Sequence, residues 1–254
     1  MERWPGKIAI VTGASSGIGA ALSLRLANHG MTVVGLARRT HLIDVCIHGL
    51  CDVTKILPPS RRLLYSRHRL IISVGHLQEI AEAFHWVEQK FGGPHVLVNN
   101  AGFLRIGYAG ENILSDDAIL STLDVNLKGM IMCTRKGVSS MRKRNFYGHI
   151  INVNSIAGHY VPYQSGLNVY TSTKHAVTAF TTALNMELAE FNSQIKVASV
   201  SPGLVKTEMV TDFKNNMPIL EPEAVADAIL YILSTPPNVN ITELTIESIL
   251  ERRL

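Results

Sequence analysis

Tyr170 and Lys174 stand four residues apart, so on a helix a phenol and an amine would share one face, a turn from each other. An ammonium beside a phenol favours the phenolate, and the spacing therefore predicts a Tyr170 pKa below the usual value of about 10. A phenol so tuned can give or take a proton near neutral pH. Y-x-x-x-K also describes plain surface pairs, and it becomes chemistry only when a site surrounds it.

The pieces of such a site are spread along the chain. Gly13, Gly17 and Gly19 follow an apolar, β-rich run at residues 7–11. They precede a stretch with helical spacing, residues 20–28, that Gly30 would stop. Strand, glycine turn and helix together present backbone N–H groups and a helix N-terminus to a phosphate. Gly13 would allow the tight turn, Gly17 the close approach of a pyrophosphate, and Gly19 close packing of helix on strand. The spacing is G-x-x-x-G-x-G rather than G-x-G-x-x-G. A second strand, residues 31–37, ends at Arg38 and Arg39, where an acidic residue would accept from a ribose 2′-hydroxyl. Two guanidiniums suit a 2′-phosphate instead, which predicts NADP(H) over NAD(H).

The elements that must hold these groups alternate strand and helix. Apolar runs at 95–98, 148–153 and 194–200 read as strands, and helical patterns cover 77–91, 116–138, a long segment from Tyr170, and 222–233 with Pro222 at its first position. Residues 239–246 alternate and suit a last strand. This alternation predicts a parallel sheet covered by helices on both faces, with ligands beyond the carboxyl ends of its strands. Asn99 to Gly102, Ser155 and Pro202-Gly203 all fall at such ends. Residues 40–76 fit less well. Two runs compete to be the third strand, 45–50 and 70–74, and between them lie Pro58-Pro59 and a basic stretch with Arg61, Arg62, Arg67 and Arg69. With no aromatic platform or amphipathic helix beside it, that stretch reads as a solvated insert rather than a nucleic-acid or membrane contact.

At 254 residues, with 46% hydrophobic and 17% charged residues, the chain suits one sizeable α/β domain over residues 1–254. It has no apolar run long enough for a membrane span. The odd count of three cysteines, Cys46, Cys51 and Cys133, offers no disulfide framework, and a cytoplasmic protein is the simplest reading. Cys46, His48 and Cys51 lack the paired spacing of a metal site, so no metal is expected. The net charge of +4 would suit an anionic ligand.

Taken in order, T-G-x-x-x-G-I-G at residues 12–19, N-N-A-G at 99–102, Asn126, Ser155, Tyr170 with Lys174, and Pro202-Gly203 resemble the short-chain dehydrogenase/reductase family, across nearly all the chain outside 40–76. Met1-Glu-Arg-Trp4, Gly35 to Arg39, Gly158 to Asn168 and Thr235-Pro-Pro are similar to its insect NADP-dependent farnesol dehydrogenase-like subgroup. The resemblance implies a Rossmann-type doubly wound sheet and a role for each matched position. Tyr170 would be the acid/base. Lys174 would lower the Tyr170 pKa and hold the nicotinamide ribose. Ser155 would hydrogen-bond the substrate oxygen, and Asn126 would hold a water in the proton relay. Gly13, Ser15, Ser16, Gly17 and Ile18 would line the dinucleotide, Asn99 would sit near the adenosine ribose, and Ala101 and Gly102 would also contact the cofactor. Pro202, Gly203 and Val205 would contact the cofactor too, and Thr207 would bind the nicotinamide carboxamide or phosphate.

An apolar substrate pocket is expected from Ile156, Tyr160, Tyr163, Leu167 and Met209, suited to a terpenoid, steroid or other lipophilic alcohol or carbonyl. The family also implies a homodimer or homotetramer. The chain departs from the family's pattern where an Asp-Val pair should meet adenine. Only twelve residues separate Arg39 from Asp52, and Asp52 reads equally as an adenine contact or a plain turn residue. The reaction expected is hydride transfer between NADP(H) and an alcohol or carbonyl; the alternative is a nucleotide- or partner-binding protein whose irregular third strand has cost it turnover.

Overall fold

The computed structural model describes residues 1–39, 65–66, 69–71, 74–111, 113–162, 165–210 and 218–251. Asp52, Tyr163 and the run 45–50 lie outside them. The elements are β1 (Ile8–Thr12), α1 (Gly17–Asn28), β2 (Thr32–Ala37), β3 (Tyr65–Ser66), β4 (Arg69–Ile71), α2 (Leu77–Phe91), β5 (Val96–Asn99), α3 (Asp116–Leu123), α4 (Met130–Lys143), β6 (His149–Val153), α5 (Asn168–Glu190), β7 (Lys196–Pro202), α6 (Pro222–Ser234) and β8 (Glu243–Ile246).

The strands form one sheet in the order β3-β4-β2-β1-β5-β6-β7-β8. Every neighbouring pair is parallel except β3 with β4. Of the two runs that competed for the third strand, the later one pairs with β2, at Gly35 with Arg69 through Ala37 with Ile71. The order reverses beside β1, between β2 and β5, which is where an open α/β sheet leaves a crevice for a ligand.

The central strands are buried along their whole length, as a sheet covered on both faces requires. Alternate residues feed two cores. Ala9, Val11, Val98, Ile151 and Val200 pack with Leu22 and Leu26 of α1 and Ile229 of α6. Ile8, Ile10, Leu36, Leu97 and Val197 pack with Phe84 of α2, Met141 of α4 and Leu188 of α5. Each large aliphatic side chain buried this way contributes roughly 1.5–3 kcal/mol. Helix ends follow local chemistry. Gly92 closes α2 in the left-handed conformation at φ 77, Pro222 opens α6, and the Ser115 side chain accepts from Ala118 N–H at the start of α3. The long helical pattern from Asp116 is continuous, but residues Asp124–Gly129 form a π-helical turn between α3 and α4. Gly129 lets that turn pack closely on the segment before α2, because a Cβ there would lie 2.1 Å from the Val74 carbonyl oxygen.

Candidate active site

The carboxyl ends of β1, β2, β5, β6 and β7 open onto one cleft of about 690 Å³, within the size range of small-molecule sites. β6 ends at Val153, and Ser155 two residues on caps a 3-10 turn, its hydroxyl accepting from Ala157 N–H at 3.1 Å. The Tyr170 phenol lies near enough to this hydroxyl for Ser155 to pull its pKa down. Tyr170 lies in the first turn of α5, and Lys174 follows one turn later, with its Nζ 5.6 Å from the centre of the Tyr170 ring. Lys174 is buried and donates to the Val153 carbonyl at 2.9 Å. Helical phase therefore brings the pair together, and the strand-end carbonyl steers the ammonium beneath the phenol.

Electrostatics here differ from the expectation drawn from spacing. Burial pushes the Tyr170 phenol up to about 12, and Ser155 pulls the other way without cancelling it. Burial also lowers Lys174 to about 8. Both groups resist charge for the same reason, the loss of water, so Tyr170 keeps its proton at neutral pH. The predicted depression of the Tyr170 pKa is thus reversed in the protein without ligand.

Asn126 sits in the π-helical turn, buried, and does not line the cleft. Its side-chain oxygen accepts from Phe103 N–H at 2.7 Å, and its Nδ2 donates to Phe103 O at 2.9 Å and to Thr173 Oγ1 at 3.2 Å. It therefore clamps the loop after β5 to the helix that carries Tyr170 and Lys174. π-helical turns recur at functional sites because they displace one side chain from the helical register.

On the opposite wall, Gly13, Ser15, Ser16, Gly17 and Ile18 line the cleft, as do Arg38 and Arg39. Gly13 and Gly17 have φ of 67 and 52, a backbone region glycine enters without strain. A Cβ on Gly13 would lie 2.8 Å from Ala101 Cα, and one on Gly17 2.8 Å from Thr207 Cγ2. The cradle admits backbone only. Ser16, the residue before α1, makes no side-chain capping bond, so the first N–H groups of the helix face the cleft in the manner of a phosphate site. These features fit a dinucleotide.

Ala101, Gly102, Pro202, Gly203, Val205 and Thr207 also line the cleft, and so do Ile156, Tyr160, Leu167 and Met209. Asn99 does not. Its Nδ2 donates to Thr134 Oγ1 and Asn152 Oδ1, both at 2.8 Å, inside the sheet. Its neighbour takes the cleft-facing place: Asn100 Nδ2 donates to Thr12 O and Gly13 O at 3.0 and 3.2 Å, bracing the glycine turn. The reason is strand alternation, which turns successive side chains to opposite faces. Asp52 and Tyr163 lie outside the described residues.

Two acidic residues in the cleft carried no signal in sequence. Glu208 meets Arg39, with Nη2 and Oε2 2.5 Å apart. Glu251 accepts from Leu204 N–H at 2.7 Å and so ties the end of the chain to the Pro202-Gly203 turn. Neither lies in a motif. Among the described residues no group of His, Cys, Asp or Glu could hold a metal ion, and no helix is long and apolar enough to cross a membrane.

Residues 7–218 match the short chain dehydrogenase family. A farnesol dehydrogenase from Aedes aegypti is 43% identical over 257 residues, covering 99% of this chain and 100% of that protein. A dehydrogenase/reductase SDR family member 11 from Gallus gallus is 37% identical, over 96% of both. Among solved structures, the closed form of a serine dehydrogenase complexed with NADP+ superposes with a TM-score of 0.76 at 28% identity, covering 94% of each chain.

Proposed function

The chain belongs to the short-chain dehydrogenase family, and on that premise we propose that it is an NADP(H)-dependent dehydrogenase/reductase acting on an alcohol or carbonyl of a lipophilic, farnesol-like or steroid-like molecule. The observation that carries this reading is the placement of Ser155, Tyr170 and Lys174 together on the wall of a cleft whose other wall is the glycine cradle. Two neighbouring hydroxyls on one cleft wall can both reach one substrate oxygen.

When bound, the nicotinamide supplies or accepts the hydride. The chain's own groups do the rest. In reduction, Tyr170 donates its proton to the carbonyl oxygen as charge builds there, and Ser155 donates a hydrogen bond to the same oxygen. A neutral Tyr170 at pH 7 is the form this direction needs. Lys174, below the phenol, stabilises the phenolate left behind and holds the nicotinamide ribose. Asn126 sets the position of α5 through Thr173. Arg38 and Arg39 favour the 2′-phosphate of NADP(H). The apolar side chains of Ile156, Leu167 and Met209, with Tyr160, suit a terpenoid or steroid body. A single domain, a cytosolic setting and pairing through α5 into a dimer or tetramer belong to the same reading.

The test is NADPH oxidation with farnesal and a panel of ketones, and NADP+ reduction with farnesol. Tyr170→Phe is expected to lose roughly 10²–10⁴-fold in kcat while still binding cofactor. Full activity in Tyr170→Phe, or no turnover on any alcohol or carbonyl, would overturn the assignment.

A further inference from the structure

Three segments meet at the rim of the cleft: Ser16 before α1, Arg39 after β2, and Glu208 in the short 3-10 turn Glu208–Val210 after β7. Arg39 joins them. Its Nη2 lies 2.5 Å from Glu208 Oε2 and 3.1 Å from Ser16 Oγ. Arg39 also keeps Glu208 more acidic than an ordinary carboxylate. Arg38, on the same wall, makes no ion pair among the described residues. Among the described residues, then, Arg39 is clasped by a carboxylate and Arg38 is not.

We infer that Glu208 competes with the cofactor's 2′-phosphate for Arg39 and so sets how strongly the protein prefers NADP(H) to NAD(H). The inference rests on the NADP(H) reading above. A phosphate dianion is the stronger partner for a guanidinium, so it displaces the carboxylate, but only by breaking the Arg39–Glu208 pair. A cofactor without the 2′-phosphate has no such need and leaves the clasp in place. Glu208 thus tempers affinity for NADP(H) alone. With both partners about half exposed, 46% and 58%, a pair of this kind shifts an equilibrium by roughly two- to fivefold.

Isothermal titration of the full-length protein with NADP+ and with NAD+, at low ionic strength, tests this. Glu208→Gln is expected to tighten NADP+ binding roughly two- to fivefold and leave NAD+ binding unchanged. In an Arg39→Ala background, which itself weakens NADP+, the same substitution is expected to do nothing. Unchanged or weaker NADP+ binding in Glu208→Gln overturns the inference. So does an equal gain with and without Arg39, which would mean that Glu208 repels the phosphate rather than competing for the arginine. A wild-type protein that binds NAD+ and not NADP+ would overturn the cofactor reading itself, whereas wild-type NADP+ binding with a silent Glu208→Gln would overturn the competition alone.

Discussion

At the scale of single residues, burial decides the chemistry of the Tyr170–Lys174 pair. Proximity alone would charge both groups, but removal from water leaves the phenol at about 12 and the amine at about 8. Lys174 is protonated below that value and loses its proton as pH rises through it. If the ammonium is what steadies the developing phenolate, kcat/KM for NADPH-dependent reduction is expected to be level near neutral pH and to fall above about pH 8. Lys174→Arg keeps its charge throughout and is expected to lose that limb. A pH–rate profile of the two proteins checks this, and a fall at the same pH in both would assign the titration elsewhere. Ser155→Ala, which removes a donor to the growing oxyanion, is expected to cost roughly 10²–10³-fold in kcat, with little change in the thermal midpoint. The residue identities were legible in sequence because helical phase and motif spacing are local. Their protonation was not, because it depends on how much protein surrounds them.

At the scale of elements, the π-helical turn at Asp124–Gly129 is the clearest link between packing and the site. It turns Asn126 inward, and Asn126 then holds both the loop at Phe103 and helix α5 at Thr173. Gly129 sits against backbone, not against a pliable side chain, so nothing nearby can give way. Gly129→Ala is expected to lower stability by roughly 1–3 kcal/mol and to reduce kcat further than the lost stability explains. Denaturation and turnover measured on the folded fraction separate the two effects. Sequence patterning read this region as one helix, since a single extra residue in a turn barely disturbs apolar periodicity. The same limit applies to Asn99 and Asn100. Both belong to one motif, and only the register of β5 decides that Asn99 bonds within the sheet while Asn100 braces the glycine turn.

At the scale of the whole molecule, the cleft exists because five strand ends converge, and its stability is shared with distant parts of the chain. Trp4 is fully buried and donates from its indole to Leu233 O at 2.7 Å, tying the N-terminal segment to the end of α6. Trp4→Ala is expected to cost roughly 3–5 kcal/mol, a fall of roughly 6–20 °C in the thermal midpoint. Saturating NADP+, at about 100 times its Kd, is expected to add about 2.7 kcal/mol and so to recover part of that loss. A differential scan with and without the nucleotide checks both. The amino-acid sequence by itself determined the alternation of strand and helix, the glycine cradle and the tyrosine–lysine pair, because each is written in local spacing. Only the tertiary structure decided which run became the third strand, which asparagine faces the cleft, and that Arg39 is met by Glu208 from 169 positions away. Contacts of that span leave no periodicity in the chain; they arise only once the sheet has brought the loops at its carboxyl edge together.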